Sequence, residues 1–183
     1  PEDQYQIFPI ENIDIEQNVL DDINDMNIVD EARYSVAYQT VFTYRNEEIY
    51  LVNTGVPYDT ALLTQSGQIY GRLPENDSEV VVTSYTAAQM RGENTIDEDS
   101  YEYIFSLIEG EILDLQYYNY DSIDSFNEID YDSFTIVGMV IDPMSSIGYV
   151  TYEESLRGFE IVNPDQSYKG LAIAYLNTTK EVE

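Results

Sequence analysis

The segment Gly71–Ser84, with the sequence GRLPENDSEVVVTS, constrains the fold more than any other part of this chain. Its first half is rich in Gly, Pro, Asn and Asp, the residues that favour turns. Its second half, Glu79–Ser84, is a β-branched run typical of a buried strand. Thr86–Arg91 then contains an Ala-Ala pair and stops before Gly92, which indicates a short helix closed by a glycine. The segment therefore predicts a turn, a buried strand and a helix in succession.

The same turn contains three residues with a predicted structural role. Gly71 is expected to adopt a positive φ, which a side chain with a β-carbon would oppose. Arg72 and Glu79 stand at the two ends of the turn, so we expect them to form an ion pair or hydrogen bonds that hold it in place. We interpret these as structural rather than ligand-binding residues.

An amphipathic helix is predicted from Asn12 to Met26, because apolar residues recur there at helical spacing with acids and amides between them. The predicted apolar stripe consists of Ile15, Val19, Ile23 and Met26. Asn12 or Asp14 is expected to cap the helix.

Strands are predicted where Val, Ile, Tyr, Phe and Thr concentrate. They are Tyr34–Thr43 and Glu48–Asn53, joined by a turn at 44–47, and then Glu111–Tyr118, Ser133–Ile141, Gly148–Tyr152 and Gly170–Leu176. Glu153–Arg157 indicates a helical turn, and Asn119–Asp132 an exposed, mobile loop. The acidic stretch at residues 92–103 is the expected position of a subdomain boundary. Helices and hairpins in this order predict an α+β domain with a mixed sheet and flanking helices.

The composition limits the possible functions. The formal net charge is -29, from 36 acids and 7 bases, which argues against nucleic-acid binding because that affinity depends on Lys and Arg. Such acidity is compatible with a soluble surface, with cation binding or with adaptation to salt, of which solubility is the favoured reading. The chain contains no Cys and no His, so it lacks disulfides, the usual general base and the usual transition-metal ligands. Enzyme activity is therefore not expected.

The sequence shows no membrane-spanning run and no signal-peptide pattern. No apolar run approaches the roughly 20 residues that cross a bilayer. The chain starts at Pro1 without an initiator Met or a signal-peptide pattern, so we expect an excised or processed domain.

Carboxylates are the abundant functional groups. They cluster at Asp97, Glu98, Asp99 and Glu102, and again at Asp121, Asp124, Glu128, Asp130 and Asp132. Neither cluster has the Gly and closing Glu of an EF-hand loop, so solvated acidic loops are favoured over a calcium site. We assign no catalytic, cofactor-binding or metal-binding residue and expect no cofactor, and the substrate-binding residues are unknown.

A tyrosine cluster offers a second candidate surface. Tyr117, Tyr118 and Tyr120 lie beside the predicted loop and suit a recognition patch. The alternative, which we favour, is that they alternate between the core and the surface of a strand pair.

Several motifs in order resemble the extracytoplasmic domain of MacB/FtsX-type ABC transporter permeases. A helix at Asp14–Met26 is followed by a short turn and a strand at Asn27–Ala32. The further matching residues are Gly71, Arg72, Pro74, Glu79–Val82, Ala87 or Ala88, Gly110, Ile112, Leu115, Phe134, Ile136, Val137, Gly138, Val140, Tyr149 and Val150. Each motif is weak by itself, and their order along the chain carries the resemblance.

The resemblance implies a MacB-like periplasmic core domain on the extracytoplasmic face of a bacterial cell membrane. Its implied partners are flanking transmembrane helices of the same permease, a cytoplasmic ABC ATPase, a second permease copy in a dimer and an unknown peptide or lipid-linked substrate. The implied role is to couple ATP-driven helix movement to export or extraction of a peptide, antibiotic or lipoprotein. The chain departs from the family in its acidity and its 18 Tyr.

Two other functions stay open at this stage. One is a free-standing secreted or cell-surface binding module whose acidic, Tyr-rich surface holds a peptide, glycan or cation. The other is a hydrolase that uses two carboxylates, although 36 acids make any such pairing easy to find by chance.

Overall fold

The computed structural model describes residues 2–7, 14–56, 60, 68–117 and 131–177. By contacts the chain forms two compact units, one made of Pro1–Val36 with Asn163–Glu183 and the other of Ala37–Val162. Residues 92–103, where a subdomain boundary was expected, lie inside the second unit. No helix among the described residues is long and apolar enough to cross a membrane.

The described strands, in chain order, are β1 Glu2–Ile7, β2 Val29–Tyr34, β3 Ala37–Tyr44, β4 Glu47–Gly55, β5 Ile69–Gly71, β6 Glu79–Thr83, β7 Ile112–Tyr117, β8 Tyr131–Val140, β9 Ile147–Val150 and β10 Ala172–Asn177. The helices described in full are α1 Gln17–Asn24, α2 Ser84–Arg91, α3 Tyr101–Ile108 and α4 Tyr152–Val162. Short 3-10 turns precede α3 at Glu98–Ser100 and β10 at Tyr168–Gly170. The α+β class predicted from the sequence is confirmed.

The first unit is a three-stranded antiparallel sheet in the order β1-β10-β2, with α1 leading into β2. The strand β10 lies in the middle and pairs with β1 on one side and β2 on the other. Glu2 of β1 stands opposite Asn177 of β10. The two described extremes of the chain are therefore neighbours at one end of the β1–β10 pair.

The helix α1 is shorter than predicted, and its predicted apolar stripe is only partly buried. Ile15, just before the helix, is buried, and Ile23 is half-buried. Leu20 is 2% exposed and forms the buried contact, whereas Val19 is 42% and Met26 52% exposed. Asp14 does not cap the helix: Glu16 is the N-cap, without a side-chain hydrogen bond, and Asp14 accepts a hydrogen bond from Ser167 Oγ at 2.8 Å. The other predicted cap, Asn12, lies outside the described residues.

The second unit contains a mixed sheet in the order β5-β8-β6-β9-β4-β3-β7. Because β7 also pairs with the N-terminal half of β8, six of these strands close into a ring. The short strand β5 pairs with the C-terminal end of β8. The β4–β9 and β6–β8 pairs are parallel, and the other pairs are antiparallel. The predicted hairpin is confirmed as β3–β4, with Arg45 and Asn46 at positive φ in its two-residue turn.

One core joins the inner sides of this sheet to the helices α2, α3 and α4. Its fully buried side chains include Leu51, Val80, Val82, Leu115, Ile136 and Met139. The helix α3 was not predicted. Its residues Ile104, Phe105 and Ile108 are buried in this core at helical spacing.

Candidate functional site

The turn before β6 has the geometry predicted for it. Arg72 donates to Glu79 through both terminal nitrogens, at 2.7 and 2.5 Å, and the Glu75 backbone N–H donates to Glu79 Oε2 at 2.8 Å. The hydrogen bond from Arg72, aided by that from Glu75, lowers the pKa of Glu79 to about 2. This fork-like pair closes the turn and fixes where β6 begins.

Gly71 is required at the start of this turn for two separate reasons. Its φ is +78°, a conformation that side chains with a β-carbon rarely adopt. A β-carbon there would also lie 2.4 Å from both Phe105 Cζ and the Val137 carbonyl oxygen. The prediction of a positive φ at Gly71 is confirmed, and the close approach to α3 and β8 adds a reason that the sequence did not reveal.

A buried polar network lies where α4 packs against the sheet. Glu154 is fully buried, and its carboxylate accepts hydrogen bonds from Tyr38 Oη at 2.8 Å and from Arg157 Nε at 2.7 Å. Arg157 also donates to Tyr117 Oη at 2.6 Å and to Asp132. Tyr117 Oη in turn donates to Asp132 at 2.6 Å. The network thus ties β3, β7, β8 and α4 together through side chains far apart in sequence.

The surroundings shift the pKa of several groups in this network. Burial and the negative charge of Glu154 raise the pKa of Tyr38, and burial with the hydrogen bond to Asp132 raises that of Tyr117. Burial opposes the charge on Asp132, but hydrogen bonds from Tyr117 and Arg157 outweigh it and lower the pKa. Burial also opposes the charge on Arg157, yet hydrogen bonds to Glu154 and Asp132 raise its pKa. The two tyrosines therefore stay protonated while the arginine and Asp132 stay charged.

A cavity of about 520 Å³ opens beside this network. It is lined by polar side chains from the turn before β6, the start of β8 and α4: Asn76, Asp77, Ser78, Asp132, Ser133, Glu154 and Arg157. Its walls are themselves hydrogen-bonded, since Thr151 donates to Asp77 and Ser133 Oγ donates to Asp114 at 2.6 Å.

Neither the acidic clusters nor the tyrosine cluster forms a binding site among the described residues. Asp97, Asp99 and Glu102 are exposed, and no group of three potential metal ligands occurs among the described residues. Of the second acidic cluster, Asp132 is described and belongs to the polar network. Tyr117 is 3% exposed, which contradicts its place in a recognition patch, while Tyr118 and Tyr120 lie outside the described residues.

Sequence reasoning did not find the network around Glu154. Its members Tyr38 and Glu154 are separated by 116 positions, so no local pattern could join them. One signal was present, because Glu154 and Arg157 stand three residues apart on a helix, the spacing of an intrahelical ion pair.

Comparison with solved structures finds two that share this fold. The periplasmic region of MacB from Actinobacillus actinomycetemcomitans matches with a TM-score of 0.56 at 14% identity, covering 97% of this chain and 76% of that chain. The extracellular domain of the noncanonic ABC-type transporter YknZ from Gram-positive bacteria matches with a TM-score of 0.55 at 9% identity, covering 97% and 84%. No protein-family model and no curated protein sequence matches the chain.

At these identities the likeness concerns the fold. The predicted fold, that of the MacB-like periplasmic core domain, is confirmed.

Proposed function

We propose that the chain is the extracytoplasmic domain of an ABC transporter permease of the MacB/FtsX type. It couples ATP-driven movement of membrane helices to the export or extraction of a substrate such as a peptide, an antibiotic or a lipoprotein. The observation that carries this proposal is the fold, which two transporter domains share over 97% of the chain. In this role the domain is not itself an enzyme, because the ATPase belongs to a separate subunit or domain.

The arrangement of β1 and β10 supports this role. Glu2 and Asn177 face each other across an antiparallel pair, so chain segments continuing from both would leave the first unit at the same end of that pair. Membrane helices attached on both sides would then pull on two hydrogen-bonded neighbours. A change in the separation of the two stems would act directly on the β1–β10 pairing.

The proposed partners follow from this placement. They are the flanking transmembrane helices, a cytoplasmic ABC ATPase and a second permease copy, with the domain on the outer face of a bacterial cell membrane. Since the membrane helices and the ATPase would hold the two copies together, the isolated domain is expected to be a monomer or a weak dimer. A tight dimer whose mass does not change with dilution in analytical ultracentrifugation would contradict this arrangement.

The first test is to sequence the reading frame on both sides of this chain. The proposal expects one apolar helix of about 20 residues before Pro1 and about three after Glu183. A stop codon close behind Glu183, with only a signal peptide ahead of Pro1, would instead identify a secreted binding module.

A second test addresses coupling through the chain ends. The chain has no Cys, so a disulfide can be introduced between opposed positions of β1 and β10 with Asp3→Cys and Leu176→Cys. In the full permease with its ATPase in proteoliposomes, oxidation of this pair should lower the ATPase rate, and dithiothreitol should restore it. The matched control is Thr43→Cys with Glu48→Cys, an opposed pair in the β3–β4 hairpin. Equal ATPase rates in the two oxidised variants would refute coupling through β1 and β10.

A further inference from the structure

The carboxylates of this chain far outnumber the cations available to neutralise them. The formal net charge is -29. Three of the seven bases, Arg33, Arg72 and Arg157, each already contact carboxylates, and their partners are five acids at positions 31, 75, 79, 132 and 154. With these five acids and three bases set aside from the 36 acids and 7 bases of the sequence, 31 acids remain for 4 bases.

Most of the other acids among the described residues are exposed, and they are spread over separate elements. Examples are Asp22 in α1, Glu48 in β4, Glu93 after α2, Glu109 after α3, and Glu153 and Glu160 in α4. Both units carry such residues. The negative charge is thus distributed over the surface instead of being gathered in one loop, and ions would respond to it as a diffuse atmosphere.

Folding brings these like charges closer together than they are in the unfolded chain, so their mutual repulsion opposes the folded state. Dissolved salt reduces this repulsion, because the screening length falls from about 30 Å at 0.01 M to about 3 Å at 1 M. We propose that the folded state of this domain depends on counterions that screen its surface carboxylates, and that the domain is built for surroundings of high ionic strength.

The experiment measures the thermal unfolding midpoint of the 183-residue chain by far-UV circular dichroism at pH 7. Between about 0.02 M and about 1 M NaCl the midpoint should rise by at least about 10 °C, and KCl should act like NaCl. A midpoint that is constant or falls with NaCl would overturn the proposal. A midpoint that responds to millimolar Ca²⁺ or Mg²⁺ at fixed ionic strength, but not to NaCl, would also overturn it and indicate a discrete cation site.

Variants separate charge from other effects of salt. Replacing Glu48, Glu93, Glu109 and Glu160 by Gln removes four exposed negative charges, and replacing the same positions by Asp keeps them. The Gln variant should melt several degrees above the Asp variant in low salt, and the difference should shrink in about 1 M NaCl. A difference that is the same at both salt concentrations would mean that the effect is not screening. Neither experiment depends on the transporter function, so the two proposals can fail independently.

Discussion

Gly158 in α4 allows a test in which two physical effects predict opposite signs. In a helix interior, replacing Gly by Ala normally stabilises by up to about 1 kcal/mol, since Gly has the larger conformational freedom to lose. Here, however, a β-carbon at position 158 would lie 2.3 Å from Tyr38 Cζ, 2.4 Å from Cε1 and 2.7 Å from Cε2. We therefore predict that Gly158→Ala destabilises the protein.

The size of the effect follows from how firmly the Tyr38 ring is held. Carbon atoms pack best at about 3.5 to 4 Å, so the ring or the helix must move by about 1 Å or more. Tyr38 is 3% exposed, and its ring centroid lies 5.7 Å from that of Tyr117. Its Oη donates a hydrogen bond to Glu154 Oε1 at 2.8 Å. Overpacking costs about 1 to 3 kcal/mol, and losing a hydrogen bond to a charged group costs about 1.5 to 3 kcal/mol. After the helix-propensity gain, we expect a net loss of about 2 to 4 kcal/mol.

The assay is urea unfolding at fixed salt, followed by far-UV circular dichroism and by tyrosine fluorescence, because the chain has no Trp. A loss of this size should lower the urea midpoint by about 1 to 2 M without changing the slope of the transition. The control repeats Gly158→Ala in a Tyr38→Leu background, where the ring is absent. The cost should fall by at least about 1.5 kcal/mol there. A neutral or stabilising Gly158→Ala, or an equal cost in both backgrounds, would refute the reasoning.

Three further predictions concern other parts of the fold. Leu20→Ala should destabilise by about 2 to 5 kcal/mol in urea unfolding, because Leu20 is buried. The neighbouring Val19→Ala should change stability by well under about 1 kcal/mol, because Val19 is exposed. Equal costs would contradict the observed helix face. Thr83→Ala should cost about 1 to 2 kcal/mol in the same assay, since its side chain caps α2 by accepting from Thr86; a cost near zero would rule out the cap. Glu79 has a pKa lowered to about 2, so its contribution is complete above its ordinary value near 4.5 and is lost as the pH falls through 2. In 1 M NaCl, which minimises the general charge effect, Glu79→Gln should be less stable than the wild type at neutral pH. The gap should begin to narrow below about pH 4.5 and close near pH 2. A gap independent of pH would contradict the ion pair with Arg72.

Several elements could be predicted because their signals are local. The run Glu79–Thr83 combines β-branched residues with a preceding turn, and it folds as the strand β6. The helix α2 has its cap at Thr83 and its closing Gly92, which adopts a φ of 74°. In both cases residues close in sequence determine the backbone conformation, so the pattern is visible before the fold is known.

Other elements depended on contacts that no local pattern contains. The α3 sequence YEYIFSLI is rich in aromatic and β-branched residues that suit a strand equally well. It forms a helix in which Ile104, Phe105 and Ile108 are buried together in the core. On α1, Val19 and Leu20 are adjacent and both apolar, so the direction of the core decides which is buried. The strand β1 has the polar sequence EDQYQI, and it forms by pairing with β10 at the far end of the chain.

The α+β class, the β3–β4 hairpin, the turn from Gly71 to Glu79 and the excess of negative charge follow from local sequence patterns and composition. Long-range packing accounts for the pairing of β7 with β8 that closes the sheet and for the burial of Tyr117. It also brings Tyr38, Asp132, Glu154 and Arg157 into one network. These two groups of features differ in the distance along the chain over which they are set. Turns, caps and strand propensities act over a few residues, whereas strand order and buried polar partners arise when segments separated by tens of residues pack together.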